Sequence, residues 1–319
     1  MTSTAPTVVV LSGRLGAVLP AAAVRVLRDG AALLADTDLS AELAGRYGAD
    51  PVGDEVRGLL LTMEPGTGMA ARWVAAGATV LSTPEPPGAG LLDAVGVMDR
   101  LRSPGGCPWD AEQTHESLMP YLIEETYELY QALEDRDVDA LREELGDVLL
   151  QVLFHARVAQ ERSVGVDGGF DIDAVATGLV TKLVGRHPHV FAGSEQVRSA
   201  AEQEIRWEQL KRVEKCRESS VDGVPLAQPA LALAAKLVSR TARAGLPADL
   251  LPGAVGGTGA ALFALAGAAK LAGEDPEAAL RRAARRFVEQ VRAAEYSARA
   301  CGLDPAALTP EQWREHWSR

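Results

Sequence analysis

Tyr121-Leu122-Ile123-Glu124-Glu125-Thr126-Tyr127-Glu128-Leu129 and, further on, Arg142-Glu143-Glu144-Leu145-Gly146-Asp147 decide how this chain is read. Both runs predict helix. Glu125 and Glu128 stand three apart, so they project from one helix face a turn from each other. Glu144 and Asp147 repeat the arrangement on the next helix. Asp135 to Asp137 forms a short polar connection, which favours an antiparallel hairpin. Such a hairpin brings four carboxylates together.

Acidic residues on helices usually form a solvated face, and Glu134, Asp135, Asp137 and Glu143 are read that way. Three features set the other four apart. Glu125 falls on the apolar stripe Leu118, Leu122, Glu125, Leu129. Asp147 enters Val148-Leu149-Leu150-Gln151-Val152-Leu153-Phe154, apolar nearly all round and therefore expected to be buried on most sides. Several carboxylates buried together require protonation, cationic partners or a metal. All-oxygen anionic ligands, with no thiolate or imidazole, favour Mg2+, with Mn2+ as a substitute. Magnesium usually binds substrate phosphates as well, which points toward a polyphosphate.

Outward from this hairpin, helical patterns cover Leu91–Leu101, Ser117–Glu134, Val138–Arg162, Ile172–Arg186 and Glu195–Arg217. After a break at Ser219 to Pro229, they cover Ala230–Ala244, Thr258–Ala272, Pro276–Cys301 and Pro310–Trp317. Upstream, Ser82-Thr83-Pro84-Glu85-Pro86-Pro87-Gly88-Ala89-Gly90 is a linker. Before it, Val8–Leu11 and Thr79–Leu81 read as strands, with Ala- and Leu-rich stretches between them that suit helices. Ser12-Gly13-Arg14-Leu15-Gly16 lacks the glycine pattern and lysine of a phosphate loop, and is read as a strand-to-helix turn. The tail looks like a worn copy of the middle: Gly146 to Leu153 aligns with Gly259 to Ala266, and Arg157 with Lys270. In that register Asp147 becomes Ala260 and Glu144 becomes Gly257, so the second copy has lost its acids.

The chain has 319 residues, enough for two or three compact units, and 47% of them are apolar. A net charge of −12 argues against coating nucleic acid or an anionic membrane, both polyanions. Three widely spaced cysteines exclude a disulfide framework and point to a reduced cytoplasmic setting. No apolar run approaches the roughly 20 residues of a membrane span.

Downstream, Lys182 and Arg186 share a helix face and suit a triphosphate tail, Arg as a fork and Lys as a point charge. The plain alternative is a pair of solvated surface cations. Trp207 and Lys211 are another same-face pair; the indole suits a base, although core packing is its commoner use. His187 and His189 flank Pro188, where capping and packing compete with metal binding.

Together these residues resemble the MazG family of all-α nucleotide pyrophosphohydrolases. Its signature, Glu-Glu-x-x-Glu followed after a spacer by Glu-x-x-Asp, is met by Glu124, Glu125, Glu128, Glu144 and Asp147. Gly106-Cys107-Pro108-Trp109-Asp110, Arg186-His187-Pro188-His189-Val190-Phe191 and Arg206-Trp207-Glu208 match flanking blocks in order. The resemblance implies a mainly α fold: an all-α MazG-like bundle over 91–218, a degenerate second helical repeat over 219–319, and a small N-terminal α/β segment with its linker over 1–90. It implies that Glu125, Glu128, Glu144 and Asp147 bind magnesium, and that Glu124 orients the attacking water or acts as base. Lys182 and Arg186 would hold phosphates, with Trp207 and Lys211 near the nucleotide. The implied reaction is water attack at the α-phosphorus of a nucleoside triphosphate, giving monophosphate and pyrophosphate. Implied too are clearance of non-standard or damaged nucleotides and a homodimer or higher homo-oligomer. The first 80 residues fall outside the resemblance.

Two other readings compete. A di-iron carboxylate bundle needs Glu-x-x-His on each of two helices, and this chain has it once, from Glu112 to His115. A non-catalytic nucleotide-binding or sensing protein would keep the fold without turnover.

Overall fold

Val8 and Val9 lie on an interior strand of a small sheet because β-branched side chains suit a pleated surface covered on both sides. The computed structural model describes residues 5–15, 18–161, 168–193, 199, 202–203, 206–207, 218–253 and 255–317. The chain divides into two compact units, 1–185 and 186–319. The first begins with β1 (Thr7–Val10), β2 (Leu33–Ala35), β3 (Asp50–Pro51), β4 (Leu59–Thr62) and β5 (Thr79–Ser82). All pairings are parallel, in the order β3-β2-β4-β1-β5, with Val8 beside Leu60 on one flank and Val80 on the other. Helices α1 (Ala21–Arg28), α2 (Ala41–Tyr47) and α3 (Gly68–Ala75) connect the strands. Period-two alternation splits the core: Val9, Leu59 and Leu61 pack with Ala23 of α1 and Leu43 of α2. Val8 and Leu60 pack with Ala70 and Trp73 of α3.

Only β1 and β5 are legible as strands in the sequence. Leu33–Ala35 and Leu59–Thr62 fall in Leu- and Ala-rich stretches read above as helical, and the structure corrects this. Leucine favours helices locally, but a strand buried on both faces reads as a plain apolar run. The turn after β1 places Arg14 in ion pairs with Glu85 and Asp93, while the Ser12 hydroxyl donates to Glu85 Oε1 at 2.5 Å. That cation is already neutralised, as suits a turn; Gly16 lies outside the described residues.

The helices follow: α4 (Gly90–Arg102), α5 (Pro108–Glu112), α6 (His115–Asp135), α7 (Val138–Gln160) and α8 (Ile172–Arg186). Thr114 and Ser117 form a capping box at the start of α6. Arg136, in the left-handed region at φ 56°, ends α6, and the Asp137 carboxylate accepts from Asp139 N and Ala140 N to start α7. A two-residue connection therefore turns α6 back along α7. Met98, Leu118, Leu153 and Phe154 form the core that ties α4, α6 and α7 together.

The expected burial of α7 on most sides is corrected: Leu150 and Val152 are 39% and 41% exposed in the single chain. On α8, Leu179, Val180, Leu183 and Val184 are exposed as well, and Arg186 is its buried residue.

The second unit contains α9 (Pro188–Phe191), α10 (Ala230–Arg243), α11 (Thr258–Leu271), α12 (Pro276–Ala300) and α13 (Pro310–His316). The helix expected over Glu195–Arg217 falls largely outside the described residues. Val238 of α10 packs directly on Gly267 of α11, where a Cβ would lie only 3.2 Å from Val238 Cγ2. In the first unit, Met98 of α4 and Phe154 of α7 share a core. A bulky pair there is a valine-on-glycine pair here. The second copy has, however, no counterpart of α6 among the described residues: a single 3-10 turn, Ala248–Leu250, lies between α10 and α11.

Candidate active site

The α6–α7 hairpin carries the carboxylates inward from both helices. Oxygen atoms of Glu125, Glu144 and Asp147 lie within 4.8 Å of one another, and all three residues are half-buried. Like charges so close disfavour ionisation. Burial raises Glu125 above the ordinary carboxylate range, helped by Asp147 and Glu128. Glu144 is raised for the same first reason, then by Glu128 and Asp147. Glu144 Oε2 is buried without a hydrogen-bond partner. Glu128 lies outside the tight group and is exposed, but its charge acts on both neighbours. Glu124 is exposed beside them. A cluster of hard oxygen donors with surplus negative charge and one unsatisfied buried oxygen fits a divalent cation such as magnesium.

The lead-in to α6 is anchored by a residue that sequence reasoning missed. Arg102 at the end of α4 is buried, with Nε and Nη2 each 2.9 Å from the two oxygens of Glu161. Its Nη1 donates to the carbonyls of Asp110 and Gln113, and its guanidinium lies 5.4 Å from the Phe154 ring centroid. Gly106 makes the turn possible, since a Cβ there would lie 2.2 Å from the Leu101 carbonyl oxygen. Trp109 then meets Tyr121 and Phe154 edge-on at 6.0 and 6.4 Å. The only early signal for Arg102 was a basic residue closing an amphipathic helix.

His155 was also missed. Its ring stacks on His115 with centroids 5.1 Å apart and Nδ1 atoms 2.8 Å apart, so one Nδ1 donates and the other accepts. Burial, then the second ring, lowers the His155 pKa. Glu112 ends α5 whereas His115 begins α6. The one Glu-x-x-His spacing is therefore divided between two helices, which removes the motif behind the di-iron alternative.

Further along, Lys182 is exposed on α8 and Arg186 is 6% exposed. The plain reading of Arg186 as a solvated surface cation is thus corrected. His187 meets His189 at 5.7 Å and Trp207 edge-on at 5.6 Å, a packed aromatic group. Lys211 lies outside the described residues.

Residues 113–191 match the MazG nucleotide pyrophosphohydrolase domain, and residues 6–81 match the MazG N-terminal domain. A nucleoside triphosphate pyrophosphohydrolase from Mycolicibacterium smegmatis is 44% identical over 275 residues, covering 81% of this chain and 79% of the relative. The chain belongs to the MazG family. The Mycobacterium tuberculosis nucleoside triphosphate pyrophosphohydrolase is 42% identical over 81% of this chain and 78% of its own length. The Escherichia coli K12 nucleoside triphosphate pyrophosphohydrolase is 36% identical over 70% and 94%. The MazG catalytic match spans the carboxylate hairpin, Lys182, Arg186 and the His187–Phe191 block. The MazG relation also reaches the first 80 residues, beyond the motifs that carry the resemblance.

Proposed function

We propose that this chain hydrolyses nucleoside triphosphates at the α-phosphorus, releasing nucleoside monophosphate and pyrophosphate. The observation that carries the reading is the group formed by Glu125, Glu144 and Asp147, with an unsatisfied buried oxygen on Glu144. Its setting is a MazG domain whose relatives are named for this activity. Glu125, Glu128, Glu144 and Asp147 hold Mg2+, with Mn2+ able to substitute. When bound, the cation screens the triphosphate and lowers the pKa of water. Glu124, next to Glu125 and exposed, orients the attacking water and takes its proton. Lys182 and Arg186 offset charge on the departing pyrophosphate, and Trp207 and Lys211 contact the nucleotide.

The working division is an N-terminal domain and linker at 1–90, a catalytic domain at 91–218 and a degenerate repeat at 219–319. The exposed apolar side chains of α7 and α8 favour a homodimer or higher homo-oligomer in which those helices are covered. Among the described residues no helix is long and apolar enough to cross a membrane. A cytoplasmic enzyme acting on non-standard or damaged nucleotides, and not on nucleic acid, is the setting we propose.

The deciding experiment incubates the protein with Mg2+ and a panel of nucleoside triphosphates and identifies the phosphorus products. Monophosphate plus pyrophosphate, lost in folded Glu125→Ala and Asp147→Ala variants, supports the reading. Release of orthophosphate instead, or a folded protein that binds nucleotides without turnover, replaces it with another hydrolytic chemistry or with a sensing role.

A further inference from the structure

Glu144, Asp147, Gln151 and His155 recur along α7 at three- and four-residue spacing. At about 100° per residue they fall within roughly 80° of arc, on one helix face. Two contacts show that this face meets α6. The His155 ring stacks on His115, and oxygen atoms of Glu144 and Asp147 lie within 4.8 Å of one on Glu125. In this antiparallel pairing Gln151 falls between the two contacts, facing the stretch of α6 that carries Leu118 and Leu122.

The row is polar where packing alone would want it apolar. The buried side-chain atoms of α7 without a hydrogen-bond partner among the described residues are Glu144 Oε2, Gln151 Oε1 and His155 Nε2. All three belong to this row. Gln151 is 3% exposed. An amide so buried is normally paired, because leaving it unpaired costs its full desolvation. A leucine would fill the same place between the helices without that cost, so the glutamine is kept for its hydrogen bonds.

Helix geometry gives the row a direction. Side chains on an α-helix lean toward its N-terminus, so Gln151 reaches over the turn that holds Asp147, and His155 over the turn that holds Gln151. An ionised carboxylate only accepts, so the amide presents its N–H to Asp147 and its oxygen to His155. Asp and Gln four apart on a helix suit such a bond. His155 meets that oxygen as a donor when its proton is on Nε2, which leaves its Nδ1 to accept from His115 Nδ1, 2.8 Å away. This polarity matches donor to acceptor along the whole row.

We propose that Gln151 is a positioning residue of the metal site. When the cation is bound, its amide N–H donates to the Asp147 carboxylate and fixes that ligand, while His155, backed by His115, fixes the amide. This role rests on the reading of Asp147 as a metal ligand. Partners standing behind metal ligands typically set about 10–100-fold in metal affinity.

The test is Mn2+ titration of the full chain without nucleotide, followed by electron paramagnetic resonance, with thermal melts in EDTA alongside. The parent binds Mn2+. Gln151→Met keeps the volume and loses the amide, and its Mn2+ affinity falls by about tenfold or more. In EDTA the same variant melts no lower than the parent, a combination that a purely packing role would not give. His155→Phe weakens Mn2+ in the same direction by a smaller factor. Nitrogen NMR of labelled histidine, above the ordinary pKa of about 6.5, finds the His155 proton on Nε2. Parent-like Mn2+ affinity in Gln151→Met overturns the proposal, as does a His155 proton on Nδ1. A Gln151→Met chain that melts well below the parent in EDTA overturns it too, because the amide then serves the fold itself. A parent that binds no Mn2+ defeats the metal reading as well, and is thereby distinguished from the other failures.

Discussion

The α4–α7 and α10–α11 helix pairs each pack on small or apolar side chains and, aligned as the proposed repeat would have them, differ at most polar positions. Met98 and Phe154 in one correspond to Val238 and Gly267 in the other, and both pairs lie at the heart of their helix crossings. Around them Arg102 becomes Ala242, His155 becomes Ala268, Asp99 becomes Ser239 and Asp147 becomes Ala260. The helix that carries Glu124, Glu125 and Glu128 has no counterpart among the described residues. A helix crossing is thus preserved by volume complementarity alone, because apolar packing is non-directional. Chemistry depends on a few polar positions, which such packing does not constrain.

The largest expected effect contrasts the carboxylates of the two copies. Glu125→Ala or Asp147→Ala lowers kcat by about 10²–10³-fold, measured as pyrophosphate release. Grafting Gly257→Glu and Ala260→Asp onto the Glu125→Ala chain restores nothing, because no second acidic helix faces α11 among the described residues. Measurable turnover from that graft would break the comparison. In EDTA, Glu125→Gln melts higher than the parent. A carboxylate whose folded pKa is raised costs stability once pH rises above its ordinary value, and the amide removes that cost.

Next comes Arg102. Its side chain is 2% exposed whereas that of Glu161 is 42% exposed, so Arg102→Met loses about 2–3 kcal/mol, less than a fully buried pair would. Urea unfolding measures it. The corresponding Ala242→Arg, at an exposed site, changes stability by less than about 0.5 kcal/mol. Equal effects at both positions would mean that Arg102 does not anchor the lead-in to α6.

The histidine pair gives a pH dependence confined to the first copy. His155 has a lowered folded pKa, so the unfolded chain binds more protons as pH falls. Stability is full above the ordinary histidine value of about 6.5 and declines below it, by no more than roughly 1.4 kcal/mol per pH unit for one proton. His155→Gln flattens that part of the profile, read from thermal melts between about pH 5 and about pH 7. An unchanged slope would show that the pair does not control it.

The smallest effect is expected for Asp99→Ser, which installs the second copy's residue in the first. Arg157 keeps Glu161, and the lost pair involves an aspartate 60% exposed. Stability therefore changes by about 0.2–1 kcal/mol. A much larger loss would show that this ion pair holds α4 to α7.

Much of this was legible in advance, for identifiable reasons. Amphipathic helices from Leu91 to Arg186 announced themselves by periodicity. Glu125, Glu144 and Asp147 could be brought together on paper because three-residue spacing and a short connection leave few geometries. Three of the five strands could not be read: β2 and β4 are apolar runs without alternation, and β3 is an exposed edge strand of two residues. The contacts of Arg102, His155 and Arg157 could not be read in advance, because their partners come from other segments: Glu161 and Asp110, His115, and Asp99 respectively.

By itself, then, the sequence determined what depends on local spacing: the helices and the acidic faces of the hairpin. Tertiary structure decided what depends on long-range burial: the five-stranded order of the N-terminal sheet, the anchoring of Arg102 and the contact between two histidines. The physical reason is one of range. Backbone periodicity is set within a few residues, whereas desolvation and charge pairing are set by whichever distant side chain the packing brings within a few ångströms.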